Sequence, residues 1–151
     1  MGNVLGFGGF GITYKAWDKK LDTVVAIKEY YPSGIVNRPP GTKNILLFSG
    51  KKKKEFEYGL TRFIEEARNM TNFNSHKNIV NVYEYFEENS TAYIVMEFLD
   101  GCNLSEFIES ANGKLDIETS MKIILNTCNA LKDIHANGII HRDVSPDNIF
   151  L

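Results

Sequence analysis

The sequence has a run of glycines near its start that is suited to holding phosphate groups. Gly6-Phe7-Gly8-Gly9-Phe10-Gly11 matches the pattern G-x-G-x-x-G, which lets the backbone approach an anion and direct its amides at it. In a dinucleotide-binding fold a helix would follow directly. Here Ile12-Thr13-Tyr14 continues as a predicted strand, so the pattern favours a glycine-rich hairpin that covers a nucleotide. A glycine-rich hairpin without a ligand is the alternative.

A lysine in the next predicted strand could bind the phosphates of the same nucleotide. Lys28 ends the stretch Val25-Ala26-Ile27-Lys28. A strand lysine that faces a glycine loop can neutralise phosphate charge, but a carboxylate must fix its flexible side chain. The helix predicted further on offers Glu65 and Glu66. Glu66 borders the apolar face of that helix and is the expected partner, and Glu65 stays open as the alternative.

The third cluster lies near the end of the sequence and combines an aspartate with an asparagine. His141-Arg142-Asp143 is followed by Asn148 in the spacing H-R-D-x-x-x-x-N. In that motif the aspartate accepts the proton of a substrate hydroxyl and the asparagine binds Mg²⁺. The tripeptide alone could instead form a capping network after a helix. The three clusters together, in this order, favour phosphoryl transfer.

The composition argues against several other classes of protein. The 151 residues are 43% hydrophobic and 24% charged, as in an ordinary soluble domain. The 17 basic and 19 acidic residues give a net charge of -2, which disfavours a nucleic-acid or anionic-membrane binder. No apolar run approaches a membrane span, and the first residues do not form a secretory signal. Cys102 and Cys128 lack metal-ligand spacing, so we expect a cytoplasmic location.

The elements that must position the three clusters are predicted from hydrophobic periodicity. Strands are expected over residues 10–17, 23–27, 79–86 and 92–98, with a loop over 32–54 that includes a solvated lysine run. Helices are expected over residues 56–70 and 104–111, and from an N-cap at Asp116 to a stop at Gly138. The last helix is expected to bury Ile117, Met121, Ile124, Cys128 and Leu131. Because strands and helices segregate along the chain, the fold class is α+β with an antiparallel sheet.

With these residues in view, the sequence resembles the catalytic domain of eukaryotic-like serine/threonine protein kinases of the bacterial type. The similarity rests on residues 9–14, on residues 25–32 (VAIKEYYP) and on residues 141–148 (HRDVSPDN). It runs from about Val4 to the last residue. The resemblance implies a protein-kinase-like fold, with residues 1–98 as a small lobe that has a five-stranded antiparallel sheet and one regulatory helix. Residues 99–151 would begin the large lobe and include the catalytic loop.

The resemblance also implies an activity, its cofactors and its site residues. The activity would be transfer of the γ-phosphate of ATP, with Mg²⁺, to serine or threonine hydroxyls of a protein. Lys28 would contact the phosphates and Glu66 would hold Lys28. Asp143 would orient the hydroxyl, and Asn148 would bind the metal. The residues implied to bind ATP are Leu5, Gly6, Phe7, Gly8, Gly9, Phe10, Gly11, Thr13, Ala26, Lys28, Met96, Glu97, Leu99 and Phe150.

Three departures from the family's pattern lead to further expectations. Ser145 stands where these kinases commonly have a lysine, so a cation would be missing there. Asn103 stands where a ribose-binding carboxylate is common. No Asp-Phe-Gly occurs in the sequence, so we expect the N-terminal part of a kinase domain, inactive alone and lacking the rest of the domain. A pseudokinase-like nucleotide-binding fragment and a small-molecule phosphotransferase of related fold stay open as alternatives.

Overall fold

Two units make up the chain in this computed structural model, which describes residues 2–20 and 22–151. The first comprises the residues up to Asn74 together with Val80–Phe98, and the second comprises Ser75–Ile79 and Leu99–Leu151. Among the described residues, no helix combines the length and the apolar character needed to cross a membrane.

The first unit is built on a five-stranded antiparallel sheet. Its strands are Val4–Gly8 (β1), Gly11–Asp18 (β2), Thr23–Tyr30 (β3), Val82–Glu88 (β6) and Thr91–Glu97 (β7). Their order across the sheet is β1-β2-β3-β7-β6. Asn89 and Ser90 join β6 to β7 with positive φ angles of 54° and 63°. Such a turn matches the right-handed twist of the strands it connects. The sheet that the resemblance implied is present.

The segment between β3 and the first helix, residues 31–49, is more ordered than the predicted loop. Val36–Asn37 (β4) pairs antiparallel with Leu46–Leu47 (β5). The lysine run then forms a 3-10 turn over Gly50–Lys52 and the start of a helix, so the prediction of a loop to residue 54 is wrong. Strands of two residues are too short to show a hydrophobic period. We call residues 31–49 the connecting segment.

Helix α1, Lys53–Met70, packs on the sheet through the face that its apolar spacing predicted, and buries Phe56, Phe63 and Ala67. The ring of Tyr30 lies 5.2 Å from that of Phe56 and 5.5 Å from that of Phe63 between centroids. A methyl group on Gly59 would clash with the Tyr30 hydroxyl. Glycine costs about 1 kcal/mol inside a helix, and here it lets the helix approach the sheet closely.

The other face of the sheet carries a buried carboxylate. Glu29 is only 1% exposed. It accepts hydrogen bonds from the hydroxyl of Tyr14 at 2.9 Å and from that of Tyr93 at 2.8 Å, and it forms an ion pair with Arg38. Three donors therefore compensate the desolvation of this charge.

The hydroxyl of Tyr93 makes a pH-dependent contribution to stability. Burial is the main cause that raises the pKa of Tyr93 to about 12, and the hydrogen bond to Glu29 contributes to the same rise. Since the unfolded chain releases this proton near pH 10, the contribution is complete below that pH and is lost as the pH rises towards 12. The free energy of unfolding is expected to fall by about 2–3 kcal/mol over this interval. Urea denaturation between pH 9 and 12 measures it, and an equally steep fall in Tyr93→Phe contradicts the assignment.

The second unit contains two helices, Leu104–Ser110 (α2) and Ile117–Ala136 (α3). The predicted N-cap of α3 is confirmed, since the Asp116 side chain accepts from the Thr119 amide at 2.8 Å. The hydrogen bonds from Thr119 lower the pKa of Asp116. The predicted stop is confirmed as well, because Gly138 has a φ of 73° and its amide donates to the carbonyl of His135.

The apolar face of α3 was predicted to be buried, and in the structure most of it is exposed. Ile117 is 84% exposed, and Met121, Ile124 and Cys128 are also exposed, whereas Leu131 is partly covered. Ala130 is the buried residue of this helix. The side of α3 that is at least partly covered instead includes Ile123, Thr127, Ala130 and Ile134, because the period of one helix carries no information about which neighbours cover it.

Candidate active site

The glycine-rich run forms the hairpin of β1 and β2, with Gly9 and Phe10 at its turn. Gly8 pairs with Gly11 and Gly6 pairs with Thr13 across the two strands. Residues directly opposite each other share a face of the sheet, so these four line one face. Phe7 pairs with Ile12 on the other face, and both Phe7 and Phe10 are exposed.

Packing within the chain explains only one of these glycines. A methyl group on Gly11 would clash with the carbonyl oxygen of Glu29 on β3. A methyl group on Gly6 or Gly9 would meet no other atom within 4 Å. Contacts within the protein therefore require glycine at position 11 and do not require it at 6 or 9.

This difference predicts unequal effects of two alanine substitutions. Gly11→Ala is expected to lower the free energy of unfolding by about 1–3 kcal/mol, because β3 must shift to relieve the clash. Gly9→Ala is expected to change it by less than about 0.5 kcal/mol. Thermal unfolding of both variants measures the difference, and equal midpoints contradict it.

The register of the sheet brings seven of the implied ATP-binding residues onto one face. Thr13 lies opposite Lys28, and Ala26 lies opposite Met96. Since side chains two residues apart on a strand share a face, Ala26 and Lys28 belong to the face that carries the glycines. The residues on this face are Gly6, Gly8, Gly11, Thr13, Ala26, Lys28 and Met96.

Lys28 reaches a carboxylate of helix α1. Its Nζ lies 3.8 Å from Oε1 of Glu66 and 5.7 Å from the ring centroid of Phe63. Glu65 instead pairs with Arg62 at 3.2 Å on the exposed side of the helix. The geometry therefore favours Glu66 over Glu65 as the partner of Lys28. A half-exposed pair adds little to stability, so its effect is to orient the ammonium group.

Asn81, a residue that the sequence analysis did not single out, anchors the end of β7. The amide of Glu97 donates to the carbonyl of Asn81 at 2.9 Å, and the Glu97 carboxylate accepts from the Asn81 side chain at 2.8 Å.

The other residues near this end of the sheet and in β1 are placed as follows. The ammonium of Lys15 lies 4.1 Å from the ring centroid of Phe98. Leu99 begins the second unit, and Leu5 lies exposed at an irregularity in β1.

The loop after α3 brings Asp143 and Asn148 into direct contact. The Asn148 side-chain nitrogen donates to Oδ2 of Asp143 at 2.9 Å and to its carbonyl at 3.0 Å. The same nitrogen lies 3.1 Å from the hydroxyl oxygen of Ser145, which accepts. Lysine has no acceptor, so Ser145 has a local role that the common lysine could not fill.

These hydrogen bonds also fix which oxygens can bind a cation. Because Asn148 uses its nitrogen towards Asp143, its Oδ1 takes no part in the three bonds. Amide and carboxylate oxygens are hard ligands of the kind that Mg²⁺ prefers. Asp143 is exposed, and its amide donates to Nδ1 of His141 at 3.3 Å. The donor set fits the metal role implied for Asn148.

Phe150 is held beside the start of α2. Asn103 and Phe150 form an antiparallel bridge, flanked by a hydrogen bond of 2.7 Å from the Leu104 amide to the Ile149 carbonyl. Asn103 caps α2, since its side chain accepts from the Glu106 amide at 2.9 Å and Glu106 bonds back to the Asn103 amide. The Asn103 side chain thus acts as a helix cap, a role that its place at the position of a common ribose-binding carboxylate did not indicate.

Three features together define the class of protein kinase-like folds. They are the sheet with its glycine hairpin, the Lys28–Glu66 pair, and the loop that contains Asp143 and Asn148. The solved structure "PpkA-294 apo form" matches 98% of this chain and 52% of its own, with a TM-score of 0.90 and 36% identity. The structure of Rad53 1-466 in complex with AMP-PNP matches all of this chain and 33% of its own, with a TM-score of 0.73 and 28% identity.

The family follows from the sequence comparison. The family model described as the protein kinase domain matches residues 1–151. The serine/threonine-protein kinase PrkC of Bacillus subtilis is 36% identical over 148 residues, which are 98% of this chain and 20% of PrkC. The chain thus spans about a fifth of the length of this curated relative. It belongs to the protein kinase family, which confirms the family and the fold predicted from the motifs.

Proposed function

We propose that the protein is an ATP-dependent serine/threonine kinase that phosphorylates protein hydroxyls, with residues 1–98 as the small lobe and 99–151 as the start of the large lobe. The observation that carries the proposal is the Lys28–Glu66 contact of 3.8 Å on the glycine-bearing face of the sheet. The name of the relative PrkC, serine/threonine-protein kinase, supports the type of reaction. The AMP-PNP complex of Rad53 supports nucleotide binding.

Binding of the nucleotide falls to the glycine-bearing face. Gly6 and Gly9 leave open space in which phosphate oxygens can approach the backbone amides. Lys28 supplies positive charge to these phosphates, and Glu66 holds the flexible Lys28 side chain in the orientation that faces them. The small side chains of Thr13 and Ala26 leave room for the apolar base.

The transfer step uses the loop after α3. The oxygen of the substrate hydroxyl forms a bond to the γ-phosphorus while the bond from this phosphorus to the ADP oxygen breaks. The hydroxyl proton passes to the Asp143 carboxylate, which Asn148 holds by a hydrogen bond of 2.9 Å. Mg²⁺ bound with Asn148 as a ligand would neutralise phosphate charge. The rate gain comes from positioning and charge stabilisation, without a covalent enzyme intermediate.

Phosphorylation by the full natural chain tests the proposal. The chain is incubated with Mg²⁺ and γ-labelled ATP, with a panel of serine, threonine and tyrosine peptides and, separately, with small alcohols and aminoglycosides. Label is expected on serine or threonine of peptides. Nucleotide binding without any transfer, or transfer to small molecules alone, overturns the proposal.

A further inference from the structure

The connecting segment, residues 31–49, touches several parts of the first unit that surround the proposed nucleotide site. The amides of Tyr31 and Ser33 each donate at 3.1 Å to the turn of the glycine hairpin, Tyr31 to the Phe10 carbonyl and Ser33 to the Gly9 carbonyl. The segment thus holds the backbone of the turn that would cover the phosphates.

The same segment also packs against helix α1, which carries Glu66. Val36 and Ile45 are buried in one core cluster with Phe56 of α1. Lys52, the residue that precedes α1, donates from its ammonium to the Gly34 carbonyl at 2.7 Å. A single stretch of chain therefore connects the glycine turn to the helix that orients Lys28.

Arg38 fastens the middle of this segment to the sheet. Its guanidinium forms an ion pair with the buried Glu29 and donates through Nε to the Lys43 carbonyl at 3.0 Å. The guanidinium carbon also lies 5.5 Å from the ring centroid of Tyr31. The planar guanidinium has several fixed donors, so one side chain holds the strand and closes the loop from residue 38 to 43.

Glu29 makes this attachment relevant to the site, because it follows Lys28 directly on β3. Successive side chains of a strand point to opposite faces, so Glu29 lies next to Lys28 in the strand but on the opposite face of the sheet. We propose that Arg38 is a positioning residue of the kinase: by tying the connecting segment to Glu29, it sets the placement of the glycine turn and of α1 relative to Lys28. The activity part of this inference rests on the proposed function.

Hydrogen exchange of the full chain without nucleotide tests the placement directly. In Arg38→Met, the amides of Tyr31 and Ser33 and those of α1 are expected to exchange about tenfold faster, because the segment is no longer fastened and opens locally. The amide of Ile94 in β7, an interior strand of the sheet, is expected to keep its rate. If the amide of Ile94 exchanges faster by the same factor as the others, Arg38 acts only on global stability, and the proposal is overturned.

Two further variants separate positioning from the cost of an unpaired buried charge. Tyr93→Phe removes a hydrogen bond to Glu29 but leaves the contacts of Arg38 in place, so its exchange pattern is expected to match the wild type. In the double variant Glu29→Gln/Arg38→Met the buried charge is absent, which restores folding where Arg38→Met is too unstable to measure. Faster exchange of Tyr31 and Ser33 is expected to persist in it. Wild-type rates in the double variant contradict the proposal.

Kinetics then connect the placement to the reaction. At a temperature where every variant is folded, the double variant is expected to raise KM for ATP about tenfold and to change kcat less. The reason is that the glycine turn, which this variant loosens, takes part in binding the phosphates. An unchanged KM in a variant with faster exchange overturns the link between segment and site. Absence of transfer in the wild type refutes the proposed function and leaves the exchange result to stand by itself.

Discussion

Asp143→Asn is expected to lower kcat for peptide phosphorylation about 10²–10⁴-fold, because an amide cannot take the hydroxyl proton. KM for ATP is expected to change little, since the proposed function assigns the phosphates to Lys28 and the glycine turn and not to Asp143. Asparagine keeps an oxygen in the place where Asp143 accepts from Asn148, so the loop keeps its conformation. Steady-state kinetics of the full natural chain, with circular dichroism to verify folding, measure the effect.

Asp147 provides the matched control, because it is an exposed acidic residue in the same short 3-10 turn as Asn148. Asp147→Asn removes the same charge from the same loop and is expected to leave kcat within a factor of about two, as for a surface substitution. Equal losses in the two variants would mean that the loop needs negative charge in general. Wild-type turnover in Asp143→Asn would refute the assigned role.

Glu66→Gln is expected to lower kcat/KM about 10²-fold, the second largest effect. The substitution removes the charge that holds the Lys28 ammonium at 3.8 Å and keeps the shape of the side chain. The lysine then adopts other rotamers, and a displacement of about 1 Å at a reacting centre can cost this factor. Because the pair is half exposed, the thermal midpoint is expected to stay near that of the wild type.

Glu65 offers a control one position away on the same helix. Its carboxylate pairs with Arg62 at 3.2 Å and faces away from Lys28. Glu65→Gln changes the net charge of α1 identically and is expected to leave kcat/KM unchanged. A result in which Glu65→Gln is the more damaging of the two would reverse the assignment and favour the alternative that the sequence had left open.

The sequence was sufficient for features that follow from short-range rules. The apolar spacing of Phe56, Phe63 and Ala67 predicted the buried face of α1 and indicated Glu66 over Glu65. The N-cap at Asp116 and the stop at Gly138 are signals contained within a few residues. The strand after the glycines separated a glycine hairpin from a dinucleotide-binding turn. In each case the determining contacts lie within a single element or between sequential neighbours.

Features that depend on distant partners were not predictable in this way. Glu29 reads as an ordinary polar residue of a strand, and only the fold shows that Arg38, Tyr14 and Tyr93 surround it. Arg38 stands in a stretch rich in proline and glycine, where nothing local marks a partner. The exposed apolar face of α3 has the same origin, because its burial depends on a neighbour rather than on its own period.

The three acceptors around the Asn148 side-chain nitrogen have a consequence for the thermodynamics of binding. Asp143 and Ser145 lie within five residues of Asn148, so the loop is ordered by its own short-range bonds. The conformational entropy of these residues is therefore lost when the chain folds and not when a ligand arrives. Under the proposed function, a substrate hydroxyl would meet a loop that its own bonds have already ordered, so less of the interaction free energy would be consumed in ordering it.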